Sequence, residues 1–117
     1  MKRHLSTIIA GSRTYTNKSA VWDIVDRCPW EIDEVVCGEA AGPDTLGRQW
    51  AERFGVNIAS FPADWDTHGR AAGHIRNKEM AKHAQAAIVF WDGKSRGAKN
   101  MIDEALSAGL HLLVVRI

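Results

Sequence analysis

Cysteine is scarce. The two present, Cys28 and Cys37, have neither a second Cys-x-x-Cys pair nor histidines at zinc-ligand spacing, so a disulfide framework and a zinc site are both excluded. Cys28 falls on an apolar helical stripe and Cys37 at the end of an apolar strand, so both read as core residues. No apolar run nears the roughly 20 residues that span a bilayer. After the basic start Met1-Lys2-Arg3-His4, the stretch 5–10 is too short and too mixed with Ser and Thr for a signal peptide. These absences set the expectation of a cytoplasmic protein with no membrane partner. The surplus of positive charge that a general nucleic-acid binder carries is also missing: 15 Lys plus Arg stand against 14 Asp plus Glu, a net +1. There are no internal repeats, linkers or low-complexity stretches. The Gly38-x3-Gly42 loop is neither a dinucleotide Gly-x-Gly-x-x-Gly nor a P-loop with Gly-Lys-Ser/Thr. Ser12 has no identifiable base, so no Ser-His-Asp or Cys-His arrangement can be argued. The five histidines show no paired ligand spacing, and no metal is expected.

What is there is an ordinary globular composition, 45% hydrophobic and 25% charged, over a length that fits one domain spanning 1–117. The near-zero charge hides a polarised chain. Residues 17–66 carry four basic and ten acidic side chains, net −6, and residues 67–99 carry seven basic and two acidic, net +5.

Apolar periodicity alternates between strand and helix. Strands are predicted over 5–10, 33–37, 56–61, 86–91 and 111–117. An amphipathic helix is predicted over about 17–28, stopped by Pro29. A second starts at Pro43, with Leu46, Trp50 and Phe54 on one face and Gly55 as its cap. A third runs over about 74–84, and a fourth carries Ala98, Met101, Ile102, Ala105 and Leu106 up to Gly109. Residues 62–73 read as a long connection. Five apolar strands separated by four helices predict an α/β fold: a single three-layer Rossmann-like domain with a five-stranded, mainly parallel sheet and helices on both faces. In such folds ligands bind beyond the carboxyl ends of the strands, at the switch in strand order.

Those ends carry the polar and glycine-rich segments. In Gly11-Ser12-Arg13 the glycine permits close approach, the serine offers a hydroxyl and the arginine a planar fork for phosphate; a tight βα turn with a solvated arginine is the plain alternative. Gly38-x3-Gly42-Pro43-Asp44 opens a helix and forms an anion site from its free N–H groups, with Asp44 either capping the helix or touching ligand. Gly93-x3-Gly97 repeats the idea with Lys94, Ser95 and Arg96 added. Arg76 offers another cation or is a plain exposed helix residue. Glu39, Asp64 and Asp66 stand in the right loops for a general base, or are caps. Trp22 and Trp50 read as packing. Trp65 and Trp91, at strand ends, are placed to stack on a base.

These loops carry a resemblance. Gly11-Ser12-Arg13, Gly38-Glu39-Ala40-Ala41-Gly42-Pro43-Asp44, Phe61-Pro62-Ala63-Asp64-Trp65, the 72–80 stretch Ala-Gly-His-Ile-Arg-Asn-Lys-Glu-Met and Trp91-Asp92-Gly93-Lys94-Ser95-Arg96-Gly97 resemble the YspA/YpsA-related branch of the SLOG superfamily, relatives of DprA/Smf and the LOG phosphoribohydrolases. The resemblance implies a Rossmann-like fold, a nucleotide or nucleotide-derived ligand at the strand ends, and homo-oligomers. It implies Arg76 as counterpart of the LOG helix arginine. Ala98 replaces the threonine of the LOG Pro-Gly-Gly-x-Gly-Thr-x-x-Glu stretch and Met101 its catalytic glutamate. Glu39 stands where relatives of the branch usually have glycine.

The leading expectation is a sensor or sequestering module that binds a phosphorylated nucleotide-type ligand and requires no cofactor. Gly11, Ser12, Arg13, Gly38, Gly42, Asp44, Arg76, Gly93, Ser95, Arg96 and Gly97 are its binding residues, with Trp65 for stacking. The alternative is a nucleotide N-glycosidic hydrolase using Glu39, Asp64 or Arg76. A third is a DprA-like single-strand DNA binder using the basic 67–99 segment.

Overall fold

The computed structural model describes residues 3–117; the first two residues of the basic start, Met1 and Lys2, and with them the first positions of the expected domain, lie outside the described residues. Five strands run β1 (His4–Gly11), β2 (Glu31–Cys37), β3 (Asn57–Ser60), β4 (Ala86–Trp91) and β5 (His111–Arg116), in the order β3-β2-β1-β4-β5. Every neighbouring pair is parallel. The chain steps outward from β1 to β3, then crosses back to lay β4 beside β1, so the switch in strand order falls between β1 and β4.

The strands are buried on both faces because helices cover both. Ile9, Val35, Ile88 and Phe90 pack under α1 (Lys18–Asp26) and α2 (Pro43–Phe54). Their neighbours Ile8, Ala10, Val36, Ala87 and Val89 pack under α4 (Ala72–His83) and α5 (Arg96–Ser107). This alternation along apolar strands is the period-two pattern of a sheet with two cores. Two glycines allow the layers to close. A Cβ at Gly11 would overlap the Phe90 carbonyl, and one at Gly47 would stand 2.6 Å from Ile9 Cγ2. Glycine at 47 thus lets α2 lie directly on β1.

Several boundaries differ from the expected ones. α1 ends at Asp26, two residues short of Cys28. Cys28 precedes Pro29, and a residue before proline is disfavoured in the helical region, so the chain leaves the helix there. Cys28 is still buried, as is Cys37. β2 begins at Glu31, two residues before the expected start. The connection after β3 is not irregular throughout: α3 (Trp65–His68) and a 3-10 turn (Gly69–Ala71) run straight into α4, which therefore starts at Ala72. Among the described residues the α-helices number five instead of the expected four. Leu106, expected on the buried stripe of α5, is 63% exposed, on the flank of the face that Ala98, Met101, Ile102 and Ala105 bury. Among the described residues no helix is long and apolar enough to cross a membrane.

Candidate functional site

The loops after β1, β2 and β3 surround a crevice of about 340 Å³ at the carboxyl edge of the sheet. Arg13 comes from the first loop, Gly38, Glu39, Ala40 and Ala41 from the second, Pro62, Ala63 and Trp65 from the third, and Arg76 from α4. A narrower extension of about 40 Å³ continues inward, sharing Arg13, Ala40 and Arg76 and reaching Gly11, Asp44, Gly97 and Met101. The wide part thus lies over β1–β3, and only the narrow part reaches the β1/β4 switch. The unforeseen α3 makes the difference, because it supplies an outer wall.

Arg76 is the centre of this geometry. It is only 8% exposed, where the sequence left open an exposed helix position. Its Nε donates to Asn77 Oδ1 at 3.0 Å, and its Nη1 donates to the Gly38 carbonyl. A Cβ at Gly38 would occupy the guanidinium's own space, so this glycine makes room for the arginine. Burial pushes the Arg76 pKa down, with the Asp44 charge opposing and Arg13 adding to the fall. Arg13 and Arg76 therefore feel each other across the crevice. Among the described residues neither guanidinium forms an ion pair.

Asp44 corrects the cap reading. The cap residue of α2 is Gly42, which has no side chain to bond with. The Asp44 carboxylate turns back and accepts the Gly38 N–H with both oxygens, at 2.9 and 3.1 Å. Burial, which leaves it 3% exposed, raises its pKa to about 6 against the lowering pull of these N–H donors and of Arg76. Asp44 and Arg76 thus grip Gly38 from both sides, one by its N–H and one by its carbonyl. The Gly38 N–H, expected to be free for an anion, is taken. Gly42, at φ 81°, sits against the Ser12 and Arg13 carbonyls, where a Cβ would come within 2.8 Å. It packs loop on loop and does not line the crevice.

The 92–97 loop is also corrected. Asp92 Oδ1 accepts the Lys94 and Ser95 N–H groups at 2.8 Å each, and Ser95 Oγ accepts the Ala98 N–H as the cap of α5. These bonds hold the Asp92 carboxyl below its ordinary pKa. The Lys94, Ser95 and Ala98 N–H groups are thereby taken and are not free for a phosphate. Gly93 backs onto the Arg116 guanidinium, and Ser95 and Arg96 line neither part of the crevice. Gly97 alone of this motif does, with open space around it. Ser12 is buried, and it ties the two loops at the switch together: its N–H donates to the Phe90 carbonyl at 2.9 Å and its Oγ accepts the Asp92 N–H at 3.2 Å.

Three acidic candidates divide. Asp64 is spent as the cap of α3, accepting the Thr67 N–H at 3.1 Å; the Thr67 hydroxyl and then this N–H hold its pKa down and make it a poor base. Asp66, on α3, is exposed and outside the crevice. Glu39 lines the crevice with φ 60°, the left-handed region that costs a residue with a Cβ about 1–2 kcal/mol. Trp65 lines the wall and is 50% exposed. Trp91 is instead packed against the α4/α5 core, its indole N–H donating to the Ser95 carbonyl at 3.1 Å. Trp50 is buried and Trp22 half-buried, their rings around Phe54, as packing roles require. Sequence reasoning missed Asn77, which is buried and donates to Asn100 Oδ1 at 2.9 Å, fixing Arg76 from behind. Met101 fills the floor of the narrow part. Among the described residues no group of three or more His, Cys, Asp or Glu is placed to hold a metal ion.

With this geometry in hand, likeness to known proteins has a place to attach. Residues 6–68 match the profile of a family described as YspA, cpYpsA-related SLOG. The Gene 61 protein of Mycobacterium phage D29 is 34% identical over 116 residues, covering 91% of this chain and 92% of that protein. The X-ray structure of DNA processing protein A (DprA) from Streptococcus pneumoniae superposes with a TM-score of 0.76 over 95% of this chain at 15% identity. This chain spans half the length of that structure, and the likeness is one of fold.

Proposed function

The chain belongs to the YspA, cpYpsA-related SLOG family, and we propose that it binds a nucleotide or nucleotide-derived phosphorylated ligand in the crevice over β1–β3, as a sensor or sequestering module. The observation that carries this reading is the pair Arg13 and Arg76, two guanidiniums facing one cavity; among the described residues neither is within ion-pair distance of a carboxylate, although the buried Asp44 charge also acts on Arg76. Two like charges beside each other favour an anion between them, and a guanidinium fork matches phosphate oxygens. The half-exposed Trp65 indole on the same wall suits a planar ring. The cavity volume is at the low end of small-molecule sites.

Binding without turnover is favoured over hydrolysis. Met101 presents no proton donor to the narrow part, Asp64 is a cap, and Asp44 is engaged with Gly38. A small anion is favoured over a nucleic-acid strand, because Glu39 in the wide part and Asp44 in the narrow part offset much of the positive charge of Arg13 and Arg76. Calorimetric titration with nucleoside 5′-monophosphates tests the reading. A charge-assisted contact contributes roughly 1.5–3 kcal/mol, so Arg13→Ala is expected to weaken binding about tenfold or more while the melting temperature holds, since Arg13 is exposed. Equal affinity in the variant, or no binding by the native chain, would sink the assignment; release of free base during incubation would move it to the hydrolase.

A further inference from the structure

Glu39 is the one non-glycine residue among those described that has a positive φ. A side chain there crowds its own backbone, and glycine would occupy the position without strain. The Glu39 backbone is engaged with Asp44, but its side chain gains little in return. Its ion pair with Arg48 spans 3.7 Å, and the two side chains are 41% and 43% exposed, the kind of pair that water nearly cancels. A strained residue with a weak internal partner and a crevice in front of it points outward, to a ligand.

Its place in the fold says which part of a ligand. Glu39 follows the end of β2 by two residues, and β2 pairs with β1, whose turn carries Arg13. When a phosphate sits at the turn after the first strand of such a sheet, the ribose falls beside the end of the neighbouring strand. A carboxylate there is an acceptor only, and its two oxygens match two adjacent hydroxyl donors while repelling a second phosphate. Glu39 lines the outer crevice together with Arg13, Arg76 and Trp65 and is not among the residues of the narrow part, which both arginines also line.

Resting on the nucleotide-binding reading above, we propose that Glu39 selects a vicinal cis-diol, so that the ligand class is a ribose 5′-phosphate derivative with free 2′ and 3′ hydroxyls. The test is calorimetric titration of the intact chain with the four ribonucleoside 5′-monophosphates and their 2′-deoxy counterparts, for the native protein and Glu39→Gly. At least one ribonucleotide is expected to bind about tenfold or more tightly than its deoxy partner. In Glu39→Gly that ratio is expected to fall to within about threefold of unity, with a melting temperature equal to or above the native one because glycine relieves the strain. Ribo and deoxy forms binding the native chain equally, or a preference that survives in Glu39→Gly, would overturn the diol proposal and leave nucleotide binding standing. No binding of any member of the panel would overturn both.

Discussion

At the scale of single residues, the site is built around Gly38, whose two peptide groups are held by buried charges of opposite sign. Asp44 takes its N–H and Arg76 its carbonyl. The raised pKa of Asp44 has a definite sign for stability. The folded state holds this proton more tightly than the unfolded chain does. The resulting stabilisation is complete below the unfolded value near 3.8 and is lost as pH rises through about 6. Two units correspond to about 3 kcal/mol. Asp44→Asn keeps a carbonyl to accept the Gly38 N–H and removes the titration. In urea unfolding at pH 4 and pH 7, the native chain is expected to lose up to about 3 kcal/mol relative to this variant over that interval. A difference independent of pH would show that the carboxyl titrates normally. Little of this arrangement was legible in the sequence. An aspartate just inside a helix reads as a cap, and only the positive φ of Gly42 and the turn of the 38–42 loop bring its carboxylate back onto Gly38. Arg76 was named as a cation, but its burial was not legible and Asn77 was missed, because polar residues inside an amphipathic helix read as its exposed face.

At the scale of elements, the strands were legible almost to the residue, since runs such as 86–91 are apolar on both faces and bounded by polar residues. Helix starts were legible at Asn17 and Pro43, whereas Ser95, read as a binding residue, is the cap of α5. The short α3 was not, although Asp64 three residues before Thr67 is a capping signal that could have located it. The packing of α2 on β1 through Gly47 left no trace in the pattern, because a glycine inside a helix looks like a weakness. The structure makes it a requirement: a Cβ there would meet Ile9 Cβ at 2.7 Å, and neither backbone can yield cheaply. Gly47→Ala is therefore expected to destabilise by about 1–3 kcal/mol, read as a lower urea midpoint at unchanged slope. A rise of about 1 kcal/mol, as helix propensity alone would give, would contradict the close approach.

At the scale of the whole molecule, charge along the chain turned out to be a poor guide to charge in space. Of the basic stretch 67–99, Arg76 reaches the crevice, whereas Arg70, Lys94 and Arg96 are exposed elsewhere. The acidic stretch contributes Glu39 and Asp44 to the same place. The fold, and the edge of the sheet on which the loops gather, followed from the alternation of strands and helices. Which loop residues face the crevice depended on hydrogen bonds between loops, as with Ser12 and Asp92, and no spacing rule encodes those. The molecule also has a second concavity, a shallow apolar groove of about 400 Å³ between α1 and β5, lined by Ile24, Phe90, Val115 and Ile117 among others. The two are separated most directly by amide and indole chemical-shift mapping of isotope-labelled protein titrated with a ribonucleoside 5′-monophosphate that binds. The expected result is saturable shifts at Arg13, at residues 38–41, at Gly97 and at the Trp65 indole N–H, with residues 92–95 and the groove unmoved. Shifts confined to the groove or to the 92–95 loop, or none anywhere, would contradict a phosphate site between Arg13 and Arg76.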